Sequence, residues 1–105
     1  MSGLGEMGNL LKQAQEMQRQ LDAVRTELRA RAVEGLALGG AVRVVLSADR
    51  HEVRGVHLTP GAPAEPRALE EAVAAALRDA LRRAAEAERE AIGRVTGGMN
   101  LPGLL

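Results

Sequence analysis

The sequence predicts an α+β domain in which two helices flank a three-stranded antiparallel sheet. Three observations carry this prediction: an apolar seam with heptad spacing near the start of the chain, an alternating pattern in its middle, and an alanine-rich stripe with helical spacing after a proline-rich break. Their order along the chain is helix, three strands, helix. At 105 residues the chain has the length of a single domain.

The first segment, residues 1–32, is predicted to be a helical arm. Its apolar residues recur at alternating spacings of three and four, and they are Met7, Leu10, Ala14, Met17, Leu21, Val24 and Leu28. This spacing gives a narrow coiled-coil seam, which needs a second helix to cover it. Residues 1–6 carry two glycines and no apolar pattern, so we expect them to be frayed and the regular helix to begin near Gly8.

The second segment, residues 33–58, is predicted to be an antiparallel meander of three strands. Apolar residues alternate from Val42 to Leu46, which is typical of a strand with one buried face. The dipeptide Gly39-Gly40 predicts a two-residue hairpin turn before this strand, and residues 48–51 predict the turn after it. A sheet of three strands has two open edges, so we expect it to pair with a second subunit.

A connector rich in proline and glycine, residues 59–66, leads into a second helix predicted over residues 64–96. Two of the prolines fit the first turn of that helix, where a missing N–H has no intrahelical partner to lose. The apolar stripe of this helix consists of Leu69, Val73, Leu77, Ala80, Ala84, Ala87 and Ala91. So many alanines allow another element to approach closely. The glycines that follow end the helix, and residues 97–105 are predicted to be an apolar tail.

The composition limits the classes of protein that the chain can represent. It has no Phe, Tyr, Trp or Cys, so its core lacks aromatic side chains and disulfides, and we expect oligomerisation to compensate. Fourteen basic residues balance fourteen acidic ones, which argues against a globally basic nucleic-acid binder. The longest uninterrupted apolar block, residues 72–77, is too short to cross a membrane, so the sequence predicts a soluble intracellular protein without a membrane partner.

The residues offer little that resembles a catalytic centre. No glycine-rich nucleotide loop or nucleophile motif is present, so the sequence predicts neither an enzyme nor a small-molecule substrate. Asp49, His51 and Glu52, with His57 nearby, are the one group with metal-ligand chemistry. They fall on a predicted hairpin turn, where a solvated turn is the simpler interpretation. We therefore predict no catalytic residues, no metal and no cofactor.

The basic side chains are open to two interpretations. In the first they bind phosphate groups, and the candidates are Lys12, Arg19, Arg25, Arg29, Arg82, Arg83 and Arg89. In the second they neutralise acidic residues three or four positions away, as the spacings of Asp22 with Arg25 and of Glu27 with Arg31 suggest. Because the chain has no aromatic rings to stack on unpaired bases, a nucleic-acid partner is expected to be duplex DNA held through its phosphates.

Three runs of sequence occur in an order that resembles a known family. Met7-Gly-Asn-Leu-Leu-Lys-Gln-Ala-Gln-Glu-Met-Gln18 opens the seam helix, Val33-Glu-Gly35 opens the sheet, and Thr96-Gly-Gly-Met-Asn-Leu-Pro-Gly103 follows the second helix. Together they resemble the YbaB/EbfC family of bacterial nucleoid-associated proteins over nearly the whole chain. The first and last runs are the specific ones, because neither follows from helical periodicity.

The resemblance implies a tweezer-like homodimer with a shared β core and projecting helical arms. It also implies binding of duplex DNA with little sequence specificity, and a role in the cytoplasm in nucleoid organisation and gene regulation. Lys12, Gln13 and Gln15 match the polar face of the family's first helix, and Arg82 and Arg83 match basic positions on its last. The alternative, from a different class, is a dimeric adaptor whose helical arms bind a protein partner without contacting DNA directly.

Overall fold

Two long helices and a small sheet make up residues 2–97, the part of the chain that this computed structural model describes. The elements are α1 (Ser2–Ala30), β1 (Ala32–Ala37), β2 (Val42–Ser47), β3 (Val53–Leu58) and α2 (Pro66–Thr96). The predicted α+β order of helix, three strands and helix is confirmed. The apolar tail predicted over residues 97–105 lies outside the described residues except for Gly97, which caps the C-terminus of α2.

The three strands form an antiparallel meander in the order β1-β2-β3. In the register, Gly35 lies opposite Val44, and Val44 lies opposite Val56 on the other side. The side chains of Val42, Val44 and Leu46 are at most 3% exposed, which confirms the face that the alternation predicted to be buried. This inner face of β1 and β2 forms one half of the hydrophobic core.

The other half of the core is α2, which lies across β1 and β2 on its alanine stripe. Ala76, Ala80 and Ala84 are fully buried there. The contact is closest at Gly35, where a Cβ atom would lie 2.0 Å from the carbonyl oxygen of Ala76. Small residues on both elements therefore let the helix backbone rest directly on the strand backbone.

A carboxylate on α2 covers the free edge of β1. Asp79 Oδ2 accepts a hydrogen bond of 2.9 Å from the backbone N–H of Leu36, which points away from β2. The same carboxylate accepts from Arg82 at 2.6 Å and from Arg83 at 3.1 Å. The Leu36 N–H and these guanidinium groups lower the pKa of Asp79 from 3.8 to about 2. The edge of β1 is thus occupied at this point, whereas β3 pairs only with β2 among the described residues.

Within residues 2–97, the buried apolar residues of the first helix all lie in its C-terminal third. Leu21, Val24 and Leu28 are buried, whereas Met7 and Leu10 in the same seam are 60% and 64% exposed. The molecule measures 74 × 21 × 17 Å, with a radius of gyration of 19.7 Å. A compact domain of this length has a radius of gyration of about 13 Å. The N-terminal part of α1 therefore projects from the body as the predicted arm.

The structure corrects several details of the sequence prediction. The second helix begins at Pro66 rather than at residue 64, because Glu65 caps its N-terminus, so Pro63 lies outside its first turn. The first helix begins at Ser2 rather than near Gly8, because Leu4 continues the apolar spacing one turn before Met7. The turn between β1 and β2 has four residues rather than two, since the register pairs Ala37 with Val42. Backbone φ is positive at Leu38, Gly39 and Gly40 in succession, so this turn is not the predicted two-residue type.

A further correction concerns an ion pair predicted for the end of the first helix. Helical spacing predicts that Glu27 pairs with Arg31 on the same helix. Its carboxylate instead accepts a hydrogen bond of 2.9 Å from Arg94 Nη2 on α2. The pair joins the two helices where Val24 and Leu28 pack into the core. Packing between the helices brings Arg94 within reach, and helical spacing alone could not predict this.

Candidate nucleic-acid interface

The projecting part of α1 carries two of the predicted basic residues, Lys12 and Arg19, on the face opposite the seam. Both side chains are exposed. Arg19 donates from Nη2 and Nε to the carboxylate of Glu16, at 2.5 and 3.0 Å. This contact raises the pKa of Arg19 and, together with a hydrogen bond from Gln20, lowers that of Glu16. Lys12 has no ion pair with any residue between 2 and 97, so it is the less compensated of the arm's two positive charges.

Farther along α1, Arg25 and Arg29 lie where the arm joins the body. They line a cleft of about 280 Å³ together with Arg50 and His51 from the turn between β2 and β3. Arg29 Nε is 3.6 Å from Asp49 Oδ2 in the same turn. The tertiary fold therefore adds two basic side chains to the predicted pair.

Hydrogen bonds hold this turn in a defined shape. The hydroxyl of Ser47 donates to Asp49 at 2.6 Å, and the backbone N–H of His51 donates to the same carboxylate at 3.1 Å. These two bonds lower the pKa of Asp49. Arg50 occupies the turn with a φ of 65° and donates to Glu88 on α2. Sequence reasoning missed Arg50 and His51 because they stand in a turn, outside the helical spacing that identified the other residues.

The second helix carries the remaining three predicted residues, Arg82, Arg83 and Arg89. Arg82 bonds to Asp79 and, at 2.9 Å, to Glu86, while Arg83 bonds to Asp79. The contact with Asp79 raises the pKa of Arg82. Arg82 and Arg89 are seven residues apart and so share one face of the helix, which lies opposite the buried alanine stripe and points away from the sheet. Both side chains are exposed to solvent, although Arg82 also forms ion pairs with acidic neighbours.

The seven predicted residues therefore lie in three places rather than one: the arm, its base and α2, where Arg82 and Arg89 face away from the sheet and Arg83 lies beside β1. Several of the compensating pairs that the spacing predicted are present, including Asp22 with Arg25 at 2.7 Å. An extended set of exposed guanidinium groups suits contact with a long polyanion better than enclosure of a small ligand.

The described residues offer little support for a metal site or for a membrane-spanning helix. Between residues 2 and 97, no three histidine or acidic side chains come close enough together to share a metal ion. Asp49 and His51 do approach, with His51 Nδ1 3.4 Å from Asp49 Oδ2, but Glu52 and His57 do not join them. Neither described helix has a stretch that is both long and apolar enough to cross a membrane.

Comparison with known proteins places this architecture in a family. The YbaB/EbfC DNA-binding family matches residues 3–99, which include both helices and the whole sheet. The chain belongs to that family. A nucleoid-associated protein of Alkaliphilus metalliredigens (strain QYMF) is 37% identical over 106 residues, which cover 99% of this chain and 92% of the relative. The resemblance seen in the sequence is thus confirmed.

The family match covers the projecting arm as well as the body. The match begins at residue 3, so the YbaB/EbfC pattern includes the projecting part of α1 and not only the packed body. DNA binding is the activity in the family's description, and it agrees with the exposed basic side chains on both helices. The individual roles of Lys12, Arg19, Arg25 and the other basic residues remain predictions.

Proposed function

We propose that this protein is a homodimer that binds duplex DNA mainly through the phosphate backbone, with little sequence specificity, and helps to organise the nucleoid. The observation that carries the proposal is the match to a DNA-binding family over both of the helices that hold the exposed basic side chains. The geometry adds support, because those side chains are spread along an elongated molecule of 74 Å.

An apolar surface on one side of the body supports the dimer. The inner-face side chains of β3, Val56 and Leu58, are 48% and 51% exposed because α2 covers only β1 and β2. Leu77 and Leu81 on α2 are also 36% and 41% exposed. Leu77 and Leu81 precede Glu88 by eleven and seven residues. Both spacings are close to a whole number of helical turns, so the three side chains lie on the same flank of α2. Because Glu88 reaches Arg50 in the β2–β3 turn, that flank faces β3.

Together, β3 and this flank of α2 form the surface that we assign to the second subunit. Within residues 2–97, β3 pairs only with β2, whereas Asp79 already bonds to the edge of β1. Antiparallel pairing of two β3 strands gives a continuous six-stranded sheet with two-fold symmetry. Each protomer then contributes one projecting α1, which yields the two arms of the tweezer.

The dimer is tested by its mass in solution. The wild type is expected to have about twice the chain mass of 11.1 kDa. Introducing a charge into the apolar surface with Val56→Asp and Leu81→Asp should give monomers, because the charges have no partner in the interface. The matched control is Leu38→Asp, on the β1 side of the sheet, where the side chain is 61% exposed. Dissociation by the control alone would place the interface at the other edge.

Binding through phosphates is the mode that the side chains favour. The exposed candidates are guanidinium groups and one lysine, which can neutralise phosphate charge, and phosphate contacts carry no sequence information. The chain has no aromatic side chain, so it lacks the rings on which unpaired bases stack. Zero net charge is compatible with this mode, because DNA meets the local field of the arms rather than the mean charge of the molecule.

A salt titration of duplex binding tests this proposal. The logarithm of affinity should fall linearly with the logarithm of salt concentration, with a slope on the order of −4 to −5 for several phosphate contacts per dimer. Duplexes of unrelated sequence should give similar affinities. A slope near zero, or no binding at low salt, would falsify the proposal.

A protein-binding adaptor is the second candidate, and charge compensation favours it. Arg19, Arg25 and Arg82 all pair with acidic neighbours on their own helices, which reduces the positive field of the arms. Affinity capture from a nuclease-treated lysate separates the two functions. A protein partner that persists without nucleic acid, combined with no binding of naked duplex DNA, would favour the adaptor over the DNA binder.

A further inference from the structure

The cleft at the base of the arm, between α1, the β2–β3 turn and α2, has its charges arranged in two layers. The charged residues that line this base cleft are Arg25, Arg29, Asp49, Arg50, His51 and Glu88. The side chains of Arg29 and His51 are 77% and 79% exposed, whereas that of Asp49 is only 13% exposed. The base cleft therefore has a carboxylate within it and two side chains that carry or can gain positive charge at its mouth.

Asp49 orients both of these exposed side chains. Its Oδ1 accepts hydrogen bonds from the Ser47 hydroxyl at 2.6 Å and from the His51 N–H at 3.1 Å. Its Oδ2 lies 3.4 Å from His51 Nδ1 and 3.6 Å from Arg29 Nε. The bonds from Ser47 and His51 lower the pKa of Asp49, so this carboxylate stays charged in the pH range where histidine gains a proton.

The other charges around His51 balance one another. Among residues 2–97, the groups that face it from α1, the turn, β3 and α2 form pairs, and these are Asp22 with Arg25, Asp49 with Arg29, Glu88 with Arg50, and Glu52 with Arg54. Because each pair has no net charge, the base cleft is neutral when the His51 ring is neutral and positive when the ring is protonated. The proton on His51 therefore decides whether the base cleft attracts an anion.

Protonation also changes what the His51 ring can donate. A neutral histidine ring has one N–H, and the carboxylate of Asp49 beside Nδ1 favours the hydrogen on that nitrogen. Nε2 is then a hydrogen-bond acceptor, which a phosphate oxygen does not bind. In the protonated ring both nitrogens carry hydrogen, so Nε2 can donate to a phosphate oxygen while Nδ1 remains paired with Asp49.

Arg54 weakens the one feature of the base cleft that disfavours an anion. The cleft lies at the C-terminus of α1, where unpaired carbonyls give a negative potential. Arg54 donates to the carbonyls of Arg29 and Ala30, at 2.7 and 3.3 Å. An anion at the mouth of the base cleft therefore meets side chains rather than bare carbonyl groups.

We propose that the base cleft binds a phosphate group of duplex DNA through Arg29 and protonated His51, so that DNA binding strengthens as the pH falls. The inference rests on the DNA binding proposed above and adds its regulation by protons. Arg29 lies ten residues from Arg19, or about 15 Å along α1, so a duplex that follows the arm reaches the base cleft. A phosphodiester keeps its negative charge between about pH 5 and 8, so the change in affinity comes from the protein.

Duplex binding at constant ionic strength tests the proposal, and the second histidine of the chain provides a matched control. Wild-type affinity should rise about tenfold between about pH 8 and pH 5.5, and the salt slope should steepen by about 0.9 for each base cleft that gains a phosphate. His51→Gln should lose this rise. His57→Gln should keep it, because His57 lies opposite Arg43 in the sheet, outside the base cleft.

A second pair of variants tests the location. Arg29→Gln should reduce the rise in affinity, whereas Arg31→Gln should keep it, because Arg31 lines a different cleft between β1 and α2. Equal effects of the two variants would overturn the inference. So would DNA binding that does not change with pH or that strengthens equally in His51→Gln, and these results leave the proposed function in place. No binding of duplex at either pH would overturn both.

NMR of the two histidine rings identifies the source of the phosphate. Addition of duplex at about pH 5.5 should shift the ring resonances of His51 and leave those of His57 in place. Inorganic phosphate at the same phosphate concentration should shift the His51 resonances less, because it lacks the further contacts that a duplex makes along the arm. Equal shifts would overturn duplex DNA as the ligand of the base cleft, and no shift with duplex would overturn the inference.

Discussion

At the scale of single residues, Gly35 determines how closely α2 approaches the sheet. A methyl group there would meet the backbone of Ala76 and Ala80, at 2.0 Å from a carbonyl oxygen and 2.3 Å from an amide nitrogen. Backbone atoms cannot move aside cheaply, so we expect Gly35→Ala to lower the free energy of unfolding by about 3 kcal/mol. Urea denaturation at fixed protein concentration measures the change.

A second glycine in the sheet provides the control for this prediction. At Gly55 on β3, a Cβ would approach only the ring of His57, whose Nε2 lies 2.9 Å away at the end of a rotatable side chain. Gly55→Ala should therefore change stability by less than about 1 kcal/mol. Equal losses in both variants would mean that the helix does not rest on Gly35.

Asp79 gives a prediction about acid stability. Its pKa falls from 3.8 to about 2 because the folded protein bonds the carboxylate to Leu36, Arg82 and Arg83. Between these two pH values the unfolded chain binds the proton more readily than the folded one. The contribution of this group is therefore complete above about pH 4 and is lost as the pH falls towards 2.

Asp79→Asn tests that contribution, because asparagine has nearly the same shape as aspartate but no carboxyl group that can titrate. The variant should be less stable than the wild type at pH 7 and should lose less stability between pH 4 and 2. Glu70→Gln, which removes an exposed carboxylate from the same helix, is the control and should follow the wild-type profile. If Asp79→Asn lost stability between pH 4 and 2 as steeply as the wild type does, Asp79 would be ruled out as the source of that loss.

Residue-scale contacts show where sequence reasoning stops. The bonds of Asp79 with Arg82 and Arg83 follow from helical spacing and are present. The bond from Leu36, which blocks the edge of β1, joins residues 43 positions apart. No local pattern marks such a contact, because it depends on how the helix lies on the strand.

At the scale of elements, a side chain from β3 terminates α1. Arg54 donates from Nη2 to the carbonyl of Arg29 at 2.7 Å and from Nη1 to that of Ala30 at 3.3 Å. A cation at the C-terminus of a helix satisfies unpaired carbonyls and complements the helix dipole. Arg54 thereby ties the base of the arm to the sheet.

Arg54→Ala should weaken this connection. We expect a loss of about 1 kcal/mol in the free energy of unfolding, because the guanidinium remains partly exposed and water can replace it. Hydrogen exchange in residues 21–30 should accelerate. Arg67→Ala is the control, since Arg67 is largely exposed and lies 3.9 Å from its partner Glu71. A similar effect in both variants would show that Arg54 does not hold the arm.

The sequence largely predicted which helices and strands form, but not all of the residues at which they begin and end. Alternation predicted the bounds of β2 to within one residue, because a half-buried strand needs that pattern. The predicted start of α1 was wrong because glycines suggested fraying, whereas Leu4 continues the apolar spacing to Ser2. The length of the first turn depends on strand register, which the dipeptide Gly39-Gly40 alone does not determine.

At the scale of the whole molecule, the sequence predicted the order of elements but not which of them cover one another. The alanine stripe indicated close packing, and only the structure shows that the sheet receives it. The candidate nucleic-acid interface was likewise predicted only in part. Helical spacing found the basic faces of α1 and α2, whereas the cleft that joins Arg25 and Arg29 to Arg50 and His51 forms through the tertiary fold.

The arms lead to the last prediction, on their part in DNA binding. If Lys12 and Arg19 bind phosphates, Lys12→Gln with Arg19→Gln should make the salt slope shallower by about 0.9 for each phosphate that is no longer neutralised. Affinity should fall to a similar extent on unrelated duplexes, because phosphate contacts carry no sequence information. The control is Arg67→Gln at the start of α2, away from the arm. A wild-type slope in the arm variant, with the dimer intact, would mean that the body rather than the arms holds the DNA.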